Sequence, residues 1–233
     1  MTATLTWYGQ GIFLVKTATH SLLIDPYFSD SCAEEGFIRR YPPPVQKGEL
    51  RVDSVASTHP HGDHLDLATL RDYIAFETFY GPSSCVDALK AEGFPQTKLR
   101  RLDRGDRADA GGLRLNAVYA CHTQDSIGVV VECEGTKIYF SGDTLMDEKL
   151  IAANELGPDI LAICINGKFG NMSWQEAVVL AHRLRVKTAI PAHYDLFAIN
   201  AEDPAPFAAA FTNSPIRCRI MERGQPCEIA ALL

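Results

Sequence analysis

No two of the seven cysteines stand in a CxxC arrangement, and an odd count cannot close completely into bridges, so reduced thiols are expected rather than a disulfide framework. No apolar stretch reaches the roughly eighteen residues of a membrane helix, and Met1-Thr2-Ala3-Thr4-Leu5 offers no basic segment ahead of a long apolar one. Both absences set the expectation of a cytoplasmic protein without a membrane span. No run of like charges lasts five or six residues, and the formal net charge is −7. A broad positive surface for gripping a phosphate backbone is thereby excluded, and nucleic acid is disfavoured as a partner. No short repeat and no low-complexity linker divides the chain, so one domain over residues 1–233 is the reading. What is present is 46% hydrophobic content in 233 residues, ample for a buried core.

Residues 5–8, 12–16 and 21–24 are aliphatic, β-branched and aromatic, are broken by Gly9 and Gly11, and read as a β-meander. A polar excursion over 29–47 contains Pro42-Pro43-Pro44, which cannot donate backbone hydrogen bonds and is expected as an extended loop of the kind that forms lids. A strand over 52–58 is followed by a helix starting near Asp66, with Leu67, Leu70 and Ile74 on one face. A strand over 76–80 and a helix over 83–92 repeat that order. Residues 113–119, 127–133 and 137–140 read as further strands, turned by Gly111-Gly112 and Glu134-Gly135. Then come a helix over 147–155, a strand over 159–164, a helix over 174–184 opened by a Ser173/Glu176 capping box, and a strand over 188–191. Each half thus runs from β-runs to βα units, which predicts an α/β protein with two sheets face to face and helices outside, a four-layer αββα sandwich.

The chemistry concentrates in Thr58-His59-Pro60-His61-Gly62-Asp63-His64, three imidazoles and a carboxylate at the end of an apolar strand. Such ligands suit zinc, manganese or iron, and a tight turn can aim them at two neighbouring centres; Gly62 is expected to allow that turn without a Cβ clash. His122, Asp143 and His193 each follow a β-run. If those strands point one way, their ends meet the first cluster at one edge of the sandwich. A lone histidine is more often an ordinary core or surface residue, and His20 and His182 are read so; spacing sets the other five apart.

Around this set, Asp25 and Asp195 end apolar runs and are either partners for a ligand histidine's free N–H or turn aspartates. Cys121 adjoins His122, but alternation points it to the opposite face, where burial is expected. The segment Asn166-Gly167-Lys168-Phe169-Gly170-Asn171 is either a plain connection or a substrate-receiving loop, with Lys168 and Asn171 as the candidate binding residues. Arg39 and Arg40 are expected as solvated surface charge rather than as an anion clamp.

The pattern His59-x-His61-x-Asp63-His64, followed by His122, Asp143 and His193, resembles the ligand set of the metallo-β-lactamase superfamily. The resemblance implies that His59, His61 and His122 hold one metal, that Asp63, His64 and His193 hold a second, and that Asp143 bridges them. It implies two divalent ions as cofactors, zinc or manganese, with iron or nickel also compatible. Ala56-Ser57-Thr58-His59, Ser141-Gly142-Asp143, Gly167-Lys168-Phe169-Gly170 and Ile190-Pro191-Ala192-His193-Tyr194-Asp195 are similar to the L-ascorbate-6-phosphate lactonase-like branch, although the chain is shorter between His122 and Ser141. The implied activity is hydrolysis of a small polar ester, most specifically a sugar-acid lactone, plain or phosphorylated, by a metal-activated hydroxide. Asp63 is then a catalytic candidate that orients the water and takes its proton besides binding metal. The expected partner is a small-molecule substrate, and a homo-oligomer is compatible.

Two alternatives stay open. A phosphodiesterase or nuclease of the same fold also carries His-x-His-Gly-Asp-His, and a metal-binding module would use the fold without turnover. A redox di-iron member would place a carboxylate at His61 and add a flavin domain, and both features are absent here.

Overall fold

Strands apolar on both faces need cover on both sides, and the sequence supplies several: Ile160–Cys164 and Thr188–Ala192 are buried throughout, and Ile127–Cys133 nearly so. The computed structural model describes residues 2–233. In chain order its strands begin with Thr4–Trp7 (β1), Phe13–Lys16 (β2), Ser21–Ile24 (β3), Leu50–Arg51 (β4), Ser54–Ala56 (β5), Ile74–Ala75 (β6), Thr78–Gly81 (β7) and Leu99–Arg101 (β8). They continue with Arg107–Ala110 (β9), Leu113–Tyr119 (β10), Ile127–Cys133 (β11), Thr136–Phe140 (β12), Ile160–Cys164 (β13), Thr188–Ala192 (β14), Arg217–Cys218 (β15) and Pro226–Glu228 (β16). The α-helices are Ser83–Ala91 (α1), Trp174–Leu184 (α2) and Pro204–Ala209 (α3).

Two seven-stranded sheets result, ordered β16-β1-β2-β3-β5-β7-β8 and β15-β14-β13-β12-β11-β10-β9. Each joins an antiparallel part to a parallel part: β3, β5, β7 and β8 run parallel in the first, and β12, β13, β14 and β15 in the second. The inner faces share one core, in which Leu5, Val15 and Leu22 cluster with Leu115, Ile138 and Ile160; Phe13 and Phe140 meet across it with ring centroids 5.2 Å apart. Behind the first sheet, Leu23, Val55 and Phe79 pack with Val86 and Leu89 of α1. On the second sheet, α2 buries Ala177, Leu180, Ala181 and Leu184. Its capping box is formed as expected, with Ser173 accepting from the Glu176 amide and the Glu176 carboxylate accepting from Ser173. The αββα sandwich is therefore the observed architecture.

Two predicted helices form, but neither as a regular α-helix. The one after Asp66 starts at Leu67, turns π-helical over Thr69–Tyr73 and stops where Ile74 leaves it to pair as β6 with β4. The Asp66 carboxylate caps it by accepting from the Ala68 amide at 3.2 Å, and also accepts from the Ser29 amide at 3.2 Å and from the Thr69 hydroxyl, tying the helix to the early loop. Residues Glu148–Leu156 wind as a 3-10 helix rather than an α-helix, from an Asp147 cap to Gly157 in the left-handed region.

The 29–47 loop is anchored rather than free. Arg39 bridges Phe197 through the backbone, and its side chain is only 4% exposed. That corrects the expectation of a solvated charge: the guanidinium donates to the Tyr27 and Ser29 carbonyls at 3.1 and 3.3 Å and lies over the Tyr27 ring. Arg40 is exposed and reaches the Asp195 carbonyl at 3.5 Å. Among the described residues no helix is long and apolar enough to cross a membrane.

Candidate metal centre

Strand direction brings the site together. Both β10 and β12 pair antiparallel with β11, so β10, β12, β13 and β14 all point one way. Their far ends deliver His122, Asp143, Asn166 and His193, and the ends of β3 and β5 deliver Asp25 and the 58–64 turn. Loops at such strand ends are held by a rigid scaffold. Four of the six non-glycine residues with positive φ sit here: Gln10 (50°), Asp25 (45°), Phe169 (53°) and His193 (57°). Strain of this kind persists where surrounding structure over-determines it.

Candidate ligand atoms fall into overlapping groups, each within 4.8 Å: His59, His61 and His122; His59, His64 and Asp143; Asp63, His64 and His193. All seven side chains named from the sequence therefore converge. In the first group His59 Nε2 and His122 Nε2 each lie 3.1 Å from His61 Nδ1. In the third, Asp63 Oδ2 lies 3.3 Å from His193 Nε2 and 3.7 Å from His64 Nε2. Asp143 stands between them, its Oδ1 3.3 Å from His64 Nε2 and 3.2 Å from His193 Nε2, its Oδ2 3.8 Å from His122 Nε2.

Counting protons shows that the donor set fits cations. A carboxylate only accepts, so the Thr58 hydroxyl donates to Asp25 Oδ2 at 2.7 Å and accepts from His59 Nδ1 at 3.0 Å. His122 Nδ1 donates to the Gly170 carbonyl at 3.1 Å. With both neutral rings protonated on Nδ1, two Nε2 lone pairs face His61 Nδ1, which carries at most one proton. One pair of lone pairs is left opposed, and an ion between the three removes that conflict. Nitrogens around a tetrahedral zinc stand roughly 3.3 Å apart, close to the spacing seen. In the second group His64 Nδ1 is 2.8 Å from Asp25 Oδ2, while buried His64 Nε2 and Asp143 Oδ1 have no hydrogen-bond partner among the described residues.

The electrostatics follow the same division. Burial drives His59 well below the usual imidazole range, helped by His64. Burial also opposes charge on His64, but Asp143, Asp63 and Asp25 outweigh it and hold that ring well above the usual range. Asp143 stays well below the carboxylate range despite burial because His193 and His64 face it. The group of His59, His61 and His122 thus offers imidazoles alone, whereas Asp63, His64 and His193 combine imidazole with carboxylate beside Asp143.

Asp25 takes the ligand-partner role and Asp195 does not: Asp195 Oδ1 accepts from the Gln10 amide at 3.2 Å and the Tyr41 hydroxyl at 3.0 Å. Sequence reasoning missed Gln10. Its Nε2 donates to Asp63 Oδ2 at 3.0 Å and lies 2.9 Å from His193 Nε2, and its backbone carbonyl accepts from the His193 amide at 2.9 Å. The available signal was a lone polar residue set between Gly9 and Gly11 inside an apolar meander.

Glycines matter at two points. A Cβ on Gly170 would stand 2.8 Å from His122 Nδ1, and one on Gly62 would stand 2.8 Å from Cys32 Sγ. Gly62 has no positive φ, so its role is the close approach of Cys32 rather than turn geometry. Cys121 is half-buried rather than buried.

Over His61, Asp63, Asp143 and His193 opens a cavity of about 340 Å³, walled by Cys32, Glu35, Phe37, Phe169 and Asn200. Lys168 and Asn171 are not among the residues lining it. Lys168 Nζ reaches the Ala201 carbonyl at 3.2 Å, and buried Asn171 uses its Oδ1 to accept from the Thr144 amide at 3.0 Å, fixing the turn after Asp143.

Comparison with known proteins agrees with this geometry. A "UPF0173 metal-dependent hydrolase" of Archaeoglobus fulgidus is 28% identical over 222 residues, covering 88% of this chain and 89% of that protein. A novel metallo hydrolase of the hyperthermophilic archaeon Ignicoccus hospitalis has the same fold, with a TM-score of 0.76, 23% identity, and coverage of 97% of this chain and 98% of that one. A possible metal-dependent hydrolase of Veillonella parvula superposes with a TM-score of 0.79 at 16% identity, covering 98% and 100%. The family model described as the beta-lactamase superfamily domain matches residues 20–194, a span holding all seven converging side chains, and the chain belongs to that superfamily.

Proposed function

We propose that this protein is a metal-dependent hydrolase that opens a small ester or lactone, with His59, His61 and His122 holding one divalent ion and Asp63, His64 and His193 a second. Asp143, facing both groups, is the shared ligand. The observation that carries the reading is the Asp143 carboxylate, buried with Oδ1 unpartnered and set between two groups of bare ring nitrogens. When bound, the ions supply Lewis-acid polarisation of the attacked oxygen and acidification of water.

The chain's residues do the rest. Thr58, Asp25 and Gly170 fix the ring tautomers of His59, His64 and His122. Gln10 holds Asp63 by Oδ2, which leaves Oδ1 as the atom for taking a proton from water and passing it on. Water adds to the acyl carbon, the acyl C–O bond breaks, and the departing alkoxide takes one of the water's protons; the other leaves to solvent from the new carboxylic acid, giving a carboxylate and an alcohol. Nitrogen and oxygen ligands favour zinc or manganese.

The test is metal content of the purified protein together with turnover of lactone and phosphodiester panels, comparing wild type with His61→Ala and Asp143→Ala. About two ions per chain and lactone turnover lost in both variants is the expected result. Phosphodiester turnover alone would replace this reading by the nuclease-like one, against which stands a cavity wall with no lysine or arginine. Bound metal without turnover of either panel would leave a binding module.

A further inference from the structure

The cavity above the metal ligands has three properties that together select what enters it. The first is Asn200. The residue is 2% exposed, lines the cavity, and its Oδ1 has no hydrogen-bond partner among the described residues. An unpartnered buried amide costs stability, and native proteins retain few; one facing a cavity persists where a ligand supplies the partner. Its amide offers one accepting and one donating atom.

The second property is an aromatic wall. Phe169 is 54% exposed although large and apolar, and it meets Phe37 edge-on at 5.3 Å. Phe37 is braced from behind by Phe197 at 5.4 Å. Phe169 is one of the few large apolar side chains exposed among the described residues, and with Phe37 it lines the cavity. Apolar surface concentrated around a concave site marks ligand binding.

The third is charge. Besides the ligand set, the only charged residue of the wall is Glu35. Arg39 turns Nη1 to the Tyr27 and Ser29 carbonyls and keeps a buried Nη2 without a partner, Lys168 reaches the Ala201 carbonyl, and neither side chain lines the cavity. A phosphate or carboxylate on the substrate's body, away from the metal ligands, would face Glu35 in a wall without lysine or arginine.

We infer that the cavity takes a neutral substrate with an apolar body, packed against Phe169 and Phe37 and oriented by a hydrogen bond to the Asn200 amide. The inference rests on the hydrolase reading and narrows it, removing the phosphorylated lactone.

The experiment uses the zinc- or manganese-loaded protein with γ-phenyl-γ-butyrolactone, the same lactone bearing a ring sulfonate, and the matching phenyl lactam as a slow analogue whose binding is followed by calorimetry. Wild type should turn over the neutral lactone with a kcat/KM about tenfold or more above that of the sulfonate, and Glu35→Lys should close the gap. Phe169→Ala should raise KM and weaken lactam binding about tenfold while kcat holds. Asn200→Leu should lower kcat/KM about tenfold without lowering the thermal midpoint, because it removes an unpartnered amide; a purely structural Asn200 would show the reverse.

A sulfonate handled as well as the neutral lactone, no lactam binding to wild type, or lactam binding indifferent to both cavity variants overturns the inference. The two readings separate cleanly. Lactam binding lost in the variants without any lactone turnover keeps the cavity assignment and removes the hydrolase. Lactone turnover without preference for the neutral form does the opposite.

Discussion

Asp25 Oδ2 and His64 Nδ1 lie 2.8 Å apart, both side chains buried, and the same carboxylate oxygen accepts from the Thr58 hydroxyl that holds His59. One carboxylate therefore sets the tautomers of a histidine in each ligand group.

That makes Asp25→Asn a sharp test. Asparagine tolerates the left-handed φ of 45° at this position, yet its amide nitrogen cannot accept the His64 proton. Metal affinity should fall about 10- to 100-fold with little change in fold, measured by chelator competition alongside circular dichroism. Unchanged affinity would mean that Asp25 only shapes the turn.

Gln10→Ala isolates the second group. Asp63 Oδ2 loses the donor at 3.0 Å and His193 Nε2 loses its neighbour at 2.9 Å, whereas His59, His61 and His122 keep every partner described above. One ion should be released about 10- to 100-fold more readily than the other, resolved as two phases in a chelator titration where wild type releases both together.

The sequence made the ligand set legible because each ligand closes an apolar run, and strand ends are where such runs stop. Strands 113–119 and 127–133 and helix 174–184 are visible to the residue for a similar reason: their patterning is long, and the last carries its own cap. Gln10 was not legible, since its partners Asp63 and His193 are distant in the chain. Nor was Arg39, whose burial depends on the Tyr27 and Ser29 carbonyls and the Tyr27 ring, with only exposed Asp30 at 3.8 Å as an ionic partner. The helix after Asp66 was legible from Leu67 and Leu70 but stops short of Ile74, which pairs with Leu50 instead.

Removing metal should cost stability. An ion bound only by the folded chain adds about 2.7 kcal/mol at a hundredfold excess over its dissociation constant. A chelator should therefore lower the calorimetric midpoint, and the ion should restore it. Here the effect should be enlarged, since the emptied first group opposes two imidazole lone pairs at His61. Identical midpoints with and without chelator would argue against ions held in the folded state.

Tyr139 offers a stability gain away from the site. It is fully buried and its hydroxyl has no partner among the described residues. Tyr139→Phe should leave stability unchanged or raise it by about 1 kcal/mol. Gly128→Ala should destabilise instead, because its Cβ would stand 2.5 Å from Tyr139 Cε2. Thermal melts of the two variants distinguish these signs.

The register of β16 against β1 places Glu228 beside Thr4 and Cys227 beside Leu5. During synthesis the ribosome releases β1 long before its neighbour exists, and it releases the His59 turn long before His193. The nascent first sheet must wait with an open edge of alternating backbone donors and acceptors, which invites pairing with other chains. Assembly of the ligand cluster is for the same reason a late event.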